Sequence, residues 1–311
     1  MEGHYFRTGK LYRDRVCVRP IEHHYEDEGK PTQIKYGCPM YKESNGNILV
    51  EKSKTFDLKQ ISQSGQCFRL KQISENEFIA ITQNHYVVIS ITGKGYEFNC
   101  SMVDFERVWF PYFDLETDYI CYQNEMVKDN FLKSAIEFGG GIRILRQDLW
   151  EMIVTFIISQ RNNIPRIQKS VEALCKAYGT HLVTICGEDI YSFPTLSQLR
   201  EKDLSVASLG YREKYIKELC EIRESDLLQI KNQDDETAKK SLLQIKGVGG
   251  KVASCILLFG LHRMNSYPID VWVKRLIEDI YDGDFNPNLY SGYAGYVQQL
   301  QFYYYRSINK V

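Results

Sequence analysis

Residues 242–255 read Leu-Leu-Gln-Ile-Lys-Gly-Val-Gly-Gly-Lys-Val-Ala-Ser-Cys, two helices joined by a glycine turn. Gly247 and Gly249 let the backbone turn sharply and let a partner approach with no Cβ in the way. The second helix, opening near Gly250, aims free N–H groups at that partner, and a phosphate suits such a site. Lys251 stands at the helix start. Asp270 follows in Tyr267-Pro268-Ile269-Asp270-Val271, where another helix should begin. A chain with this segment must pack helices behind the turn and leave its outer side open, as nucleic-acid backbone contact requires.

Composition limits how such contact is made. The net charge is −1, so attraction to nucleic acid has to come from local basic patches and helix ends. Tyr 22 and Phe 15 supply core and, in a sharper reading, surfaces on which bases stack. The nine cysteines are odd in number and irregularly spaced, with no C-x-x-C pair, which disfavours a disulfide framework and a tetrahedral zinc site. No long apolar window and no signal-peptide core are visible, so the expected location is the cytoplasm, or the nucleus in a eukaryote, without secretion or membrane association.

Residues 1–36 are polar and rich in Tyr and His. His4, His23 and His24 are read as solvated surface or part of a non-native leader rather than metal ligands. Alternating runs follow at Gln66–Leu70, Glu77–Ile81, Tyr86–Ser90 and Tyr96–Asn99, separated by turn residues, and they predict an antiparallel sheet. From about residue 116 the period becomes helical. Helices are predicted from Gln147 through Ile158 and over Ile164–Tyr178, Leu196–Arg200, Arg212–Glu224, Glu236–Gln244, Lys251–Leu261, Val271–Tyr281 and Tyr293–Ile308. The expected organisation is an extension over 1–36, a β-rich domain over 37–140 and an all-helical domain over 141–311.

The chemistry centres on Lys251. A neutral lysine amine attacks a sugar C1′ or a carbonyl and forms a Schiff base. Asp270 either caps the next helix or stabilises positive charge on a sugar as its base departs. Cys255, one helical turn after Lys251, faces the same side and is either packing or part of the site.

The glycine turn ending in Lys251, followed by Pro268-Ile269-Asp270, resembles the helix-hairpin-helix DNA glycosylase superfamily. Three further stretches are similar to its 8-oxoguanine glycosylases: Ser64-Gly65-Gln66-Cys67-Phe68-Arg69, Ser159-Gln160-Arg161-Asn162-Asn163-Ile164-Pro165-Arg166, and Gly292 through Phe302. The resemblance spans about residues 38 to 308, in order.

The resemblance implies an α+β protein, with an antiparallel TATA-binding-protein-like sheet packed on an all-helical helix-hairpin-helix domain. It implies a bifunctional glycosylase and abasic-site lyase acting on 8-oxoguanine in double-stranded DNA, opposite cytosine. Lys251 matches the Schiff-base lysine and Asp270 the catalytic aspartate. Gly65 matches the glycine whose carbonyl meets the N7–H that 8-oxoguanine has and guanine lacks. Cys255 and Phe302 match the pair that sandwiches the flipped base, and Gln298 the amide on its Watson–Crick edge. Tyr211 matches the wedge, and Arg212 and Arg166 the cations at the orphaned cytosine. Asn162 and Asn163 match gap-filling or backbone-binding residues, and Gly247 and Gly249 the phosphate-binding turn.

No cofactor and no catalytic metal are implied; a cation on the carbonyls of Leu243, Ile245 and Val248 is compatible. A monomer is expected. Two positions depart from the family pattern: Arg161 stands where an asparagine is usual, and Trp272 where a phosphate-contacting histidine is frequent, with Lys274 and Arg275 as alternative sources of charge. The rivals are an endonuclease III-like pyrimidine glycosylase without the usual iron–sulfur cluster, since no cysteine follows Cys255, and a non-catalytic DNA-binding module.

Overall fold

The alternating runs beyond residue 76 pair as an antiparallel sheet. The computed structural model describes residues 38–309, all within the unit Pro31–Val311. The polar extension over 1–36, with its three histidines, lies outside the described residues. Strands β1 (Tyr41–Ser44), β2 (Asn47–Glu51), β3 (Leu70–Ser74), β4 (Glu77–Thr82), β5 (His85–Ile91) and β6 (Gly95–Phe98) are arranged in the order β1-β2-β6-β5-β4-β3. In β4 and β5, Phe78 faces Ile89 and Ala80 faces Val87. These four side chains join Phe98, Phe105, Trp109 and Phe113 in one core.

The opposite face of β4 is also covered. Ile79 and Ile81 pack on Ile190, from a hairpin of β7 (His181–Ile185) and β8 (Glu188–Tyr191). That explains why Phe78 through Ile81 is continuously apolar, as expected of a strand buried on both sides. The hairpin interrupts a half of the chain that sequence periodicity presented as all helix.

One expected strand is absent. Of Gln66–Leu70 only Leu70 enters β3. Gln66 is fully buried, donates its amide to the Arg143 carbonyl at 2.9 Å and accepts the Leu145 N–H at 2.9 Å. Its alternation with apolar neighbours therefore reflects a buried polar anchor and not a solvent-facing strand position. The short helix α1 (Leu58–Gln63), capped by Asp57, precedes this bend.

Helices α2 (Met102–Asp104) and α3 (Phe110–Tyr112) flank a π-helical turn, Phe105–Trp109. The helical half then contains α4 (Tyr119–Met126), α5 (Asn130–Gly139), α6 (Leu149–Ile158), α7 (Ile164–Tyr178), α8 (Leu196–Leu199), α9 (Arg212–Leu219), α10 (Glu224–Asn232), α11 (Asp235–Gln244), α12 (Gly250–Gly260), α13 (Val271–Tyr281) and α14 (Ala294–Ile308). The helix expected over Arg212–Glu224 stops early. Arg223 and Asp226 cap a new helix there, with the Arg223 N–H on Asp226 Oδ2 at 3.1 Å and Arg223 Nη2 on Oδ1 at 2.8 Å.

All ten residues of α6 are buried, which makes it the axis of the helical core. Its apolar side chains join Leu257 and Leu258 of α12 and Val297 and Leu300 of α14. That packing brings the start of α12 and the middle of α14 to one side of the molecule.

Candidate active site

The glycine turn forms as its sequence requires. Gly247 has φ +87°, and a Cβ there would lie 2.6 Å from Tyr215 Cγ, so no other residue fits. A Cβ on Gly249 or Gly250 would meet nothing within 4 Å, so the outer side of the turn is open. Gly249 is the N-cap of α12 and makes no side-chain capping bond, which leaves the first N–H groups of α12 free for an anion. Among the carbonyls suited to a cation, Ile245 O already accepts the Val248 N–H at 2.9 Å but keeps a second lone pair. Leu243 lies in the last turn of α11, where carbonyls lack intrahelical donors. Leu243 and Ile245 thus each keep a carbonyl lone pair that a cation could use.

Lys251 enters a cleft of about 830 Å³ at this helix end. Gly65, Asn162, Asn163, Cys255, Asp270, Trp272, Gln298 and Phe302 line the same cleft. Lys251 Nζ lies 5.5 Å from the Phe156 ring centroid and hydrogen-bonds the Cys255 thiol. Burial pushes that thiol upward, the Lys251 charge and hydrogen bond oppose the shift, and the Asp270 charge adds to it. Nucleophile, thiol and carboxylate therefore share one electrostatic environment.

The structure shows the first of the two readings that the sequence left open for Asp270. It is the N-cap of α13, where Oδ1 accepts the Val273 N–H at 2.9 Å. That bond fixes the carboxyl at the cleft wall and leaves Oδ2 outside the cap.

Two acceptors on residues lining the cleft have no partner among the described residues. Gln298 is only 5% exposed, yet its Oε1 has no hydrogen-bond partner. A buried amide oxygen without a donor is costly, on the order of 1–3 kcal/mol, unless something supplies one. The second acceptor is on the bend after α1. The Gln63 carbonyl accepts from Arg306 Nη2 at 2.7 Å, Ser64 O from Gln299 Nε2 at 2.6 Å, and Gln66 O from Gln147 Nε2 at 2.9 Å. Among the described residues, Gly65 O alone in this run has no partner. Phe302 stands beside it: its Cε1 is 3.4 Å from where a Gly65 Cβ would be.

The remaining expected residues flank the cleft. Asn162 donates to Ile158 O at 3.1 Å, and Asn163 caps α7 by accepting the Arg166 N–H at 3.0 Å. Tyr211 is 51% exposed, with its OH on Gln160 O at 3.4 Å. The guanidinium of Arg212 is 4.7 Å from the Tyr211 ring centroid. Its donors are largely committed: Nε to Gln160 O at 2.9 Å, Nη1 to Leu209 O at 3.2 Å, and Nη2 to the carbonyls of Gln160 and Arg161. Arg166 is exposed and has no side-chain partner among the described residues. The two arginines assigned alike by resemblance thus differ: one holds a loop and the other is free.

Sequence reasoning missed Arg306, Gln299 and Gln160. Each acts through a tertiary contact with no local signature. Arg161, flagged only as a departure, has φ +46° at the loop tip, a conformation that asparagine tolerates better than arginine.

Comparisons with known proteins point to one family. Residues 48–153 match the family "8-oxoguanine DNA glycosylase, N-terminal domain". The chain is 36% identical over 165 residues to the N-glycosylase/DNA lyase of Saccharomyces cerevisiae and 34% identical over 188 residues to the N-glycosylase/DNA lyase OGG1 of Arabidopsis thaliana. These alignments cover 48% and 52% of this chain but 44% and 51% of the relatives, so the chain spans about half the length of these curated proteins. Solved structures are matched more fully. The structure of MBOgg1 with a low-affinity DNA ligand has a TM-score of 0.80 at 33% identity, covering 88% of this chain and 99% of that one. The Clostridium acetobutylicum 8-oxoguanine glycosylase/lyase, in complex with double-stranded DNA containing cytosine opposite 8-oxoG, has a TM-score of 0.79 at 32% identity, covering 88% and 100%. With a matched core, a lysine and an aspartate in one cleft and near-complete coverage of these structures, the chain belongs to the 8-oxoguanine DNA glycosylase/lyase family.

Proposed function

We propose that this protein excises 8-oxoguanine from duplex DNA and then nicks the strand at the resulting abasic site. The observation that carries the reading is the convergence of Lys251 and Asp270 with the unpartnered Gln298 amide oxygen in one cleft. The lesion is extruded into this cleft, the usual solution for chemistry on a stacked base. Tyr211 fills the stack, and the open turn at Gly247 and Gly249 holds a phosphate. Phe302 and Cys255 flank the base. Gln298 Oε1 accepts from its Watson–Crick edge, and Gly65 O accepts from N7–H. Guanine has a lone pair at N7, so the same carbonyl repels it.

Asp270 stabilises the positive charge that grows on the sugar as the N9–C1′ bond breaks and its electron pair leaves with the base. The Lys251 amine forms the bond to C1′ and loses a proton; ring opening gives the Schiff base. Removal of a C2′ proton then expels the 3′ phosphate oxygen by β-elimination. A monomer is proposed as the acting form. The preferred substrate is 8-oxoguanine opposite cytosine, because Arg166 presents free donors that suit the cytosine O2 and N3 acceptors.

Borohydride reduction on a duplex with 8-oxoguanine opposite cytosine tests the proposal. A covalent complex is expected with the native protein and none with Lys251→Gln. Equal trapping by the variant would remove Lys251 from its role, and no excision by the native protein would remove the substrate assignment.

A further inference from the structure

Gln299 and Arg306 lie two helical turns apart on α14, and both reach the bend that carries Gly65. Gln299 Nε2 donates to Ser64 O at 2.6 Å, and Arg306 Nη2 donates to Gln63 O at 2.7 Å. The same Arg306 guanidinium lies 5.0 Å from the Phe302 ring centroid, and its Nη1 is 3.5 Å from where a Gly65 Cβ would sit. It makes no ion pair with any described carboxylate. Burial lowers its affinity for its proton, with the charges of Tyr303 and Asp270 opposing that shift.

From this arrangement we infer that Arg306 and Gln299 are positioning residues that fix the lesion-reading carbonyl of Gly65 relative to the Phe302 ring, and so set discrimination between 8-oxoguanine and guanine. The inference rests on the proposed role of Gly65. Its physical basis is that a reader based on one carbonyl discriminates only if that carbonyl cannot retreat. Guanine binding costs repulsion between Gly65 O and the N7 lone pair, and a mobile bend would relax that repulsion. Binding the two preceding carbonyls to a rigid helix removes the freedom. The α14 helix also carries Phe302 and Gln298, so stacking, edge reading and N7 reading are held by one element. A planar guanidinium suits the clamp because it donates a hydrogen bond and covers a ring at once.

The test compares Arg306→Gln, Arg306→Lys and Gln299→Met with the native protein. Three quantities are measured: affinity for an 8-oxoguanine duplex relative to an undamaged duplex, borohydride trapping at a preformed abasic site, and thermal melting. Arg306→Gln and Gln299→Met should each reduce the affinity ratio about tenfold, the worth of one charge-assisted or buried hydrogen bond. Trapping at the abasic site should change less than about twofold, because no base is present to be read. Arg306→Lys keeps a donor and a charge and should recover part of the ratio. An unchanged ratio in both Arg306→Gln and Gln299→Met overturns the inference. So does a loss of trapping parallel to the loss of ratio, or a fall in melting temperature that accounts for both. A native protein that does not prefer the lesion duplex would instead overturn the parent reading, so the two failures are distinguishable.

Discussion

Gln160 donates its side-chain amide to the Gly247 carbonyl at 2.9 Å, which ties the loop beside Tyr211 to the glycine turn. The Gln160 backbone carbonyl accepts from Arg212 in the same place. One residue therefore links three parts of the proposed DNA-binding surface: the Arg161 tip, the Tyr211–Arg212 pair and the glycine turn. Gln160→Ala should weaken binding to a duplex with a stable abasic-site analogue while lowering stability by only about 1 kcal/mol, as loss of one half-buried hydrogen bond does. Fluorescence anisotropy and thermal melting check this. Unchanged affinity would show that loop and turn are set independently.

Asp270 combines a cap with a proposed catalytic charge, and substitution separates them. Asparagine caps helices about as well as aspartate. Asp270→Asn should therefore melt near the native temperature yet excise more slowly by on the order of 10²–10³. Asp270→Ala should lose excision and in addition about 1 kcal/mol of stability. Single-turnover excision with a melting curve for each variant decides it; normal excision by Asp270→Asn would leave the residue as a cap alone.

Two buried carboxyls should shape the dependence of stability on pH in opposite ways. Burial alone would raise Asp114, but a hydrogen bond and charge from His262 and the charges of Arg146 and Arg143 outweigh it and bring it down to about 2. A lowered acid stabilises the fold above its unfolded value, and that contribution is lost as pH falls through about 2. Its size is on the order of 2 kcal/mol. Glu151 is pushed up to about 8, chiefly by burial; Arg69 opposes the shift and Asp148 adds to it. Arg69 has already committed donors to Glu172 and to Tyr191 O, which leaves Glu151 poorly compensated as an anion. Here the sign reverses: stability is highest while Glu151 holds its proton and falls as pH rises from the unfolded value of 4.5 through about 8. Glu151→Gln should flatten that decline between pH 4.5 and about 8 and leave the limb below it intact, and Asp114→Asn should flatten that lower limb. Denaturant midpoints from acid pH to pH 9 test both.

Much of the architecture was legible because it is locally encoded. Ile164–Tyr178 and Val271–Tyr281 form at the bounds their periodicity implied, with Asn163 and Asp270 as caps. Lys251 and Asp270 were singled out by their spacing after the glycine turn, and both line one cleft. The β7–β8 hairpin was missed although it left a trace: β-branched Val183, Thr184 and Ile185 precede Cys186-Gly187, both with positive φ. Arg306 was not legible at all. Its partner Gln63 lies 243 residues away in sequence, and one arginine near the end of an amphipathic helix has no feature that distinguishes it from a solvated charge. Arg212 illustrates a further limit. Motif position suggested a cation at the orphaned cytosine but gave no sign that backbone carbonyls would occupy its donors.

That difference between the two arginines leads to a paired prediction about the base opposite the lesion. Arg166 is exposed and free, so the orphaned base can meet its donors directly. Cytosine presents O2 and N3 as acceptors, whereas adenine places a donor at N6. Arg166→Ala should therefore narrow the preference for cytosine over adenine by roughly 1–3 kcal/mol, the worth of a good base contact, and spare trapping at a preformed abasic site. Arg212 has most of its N–H groups on the carbonyls of Leu209, Gln160 and Arg161. Its removal frees the loop that carries Arg161 and takes away the cation stacked on Tyr211, and both effects are indifferent to the opposite base. Arg212→Ala should accordingly lower excision by a similar factor against all four bases. Single-turnover excision across the four pairings separates the cases. A uniform loss for Arg166→Ala would make it a phosphate contact, and a base-dependent loss for Arg212→Ala would mean that its carbonyl bonds exchange for base contacts when DNA binds.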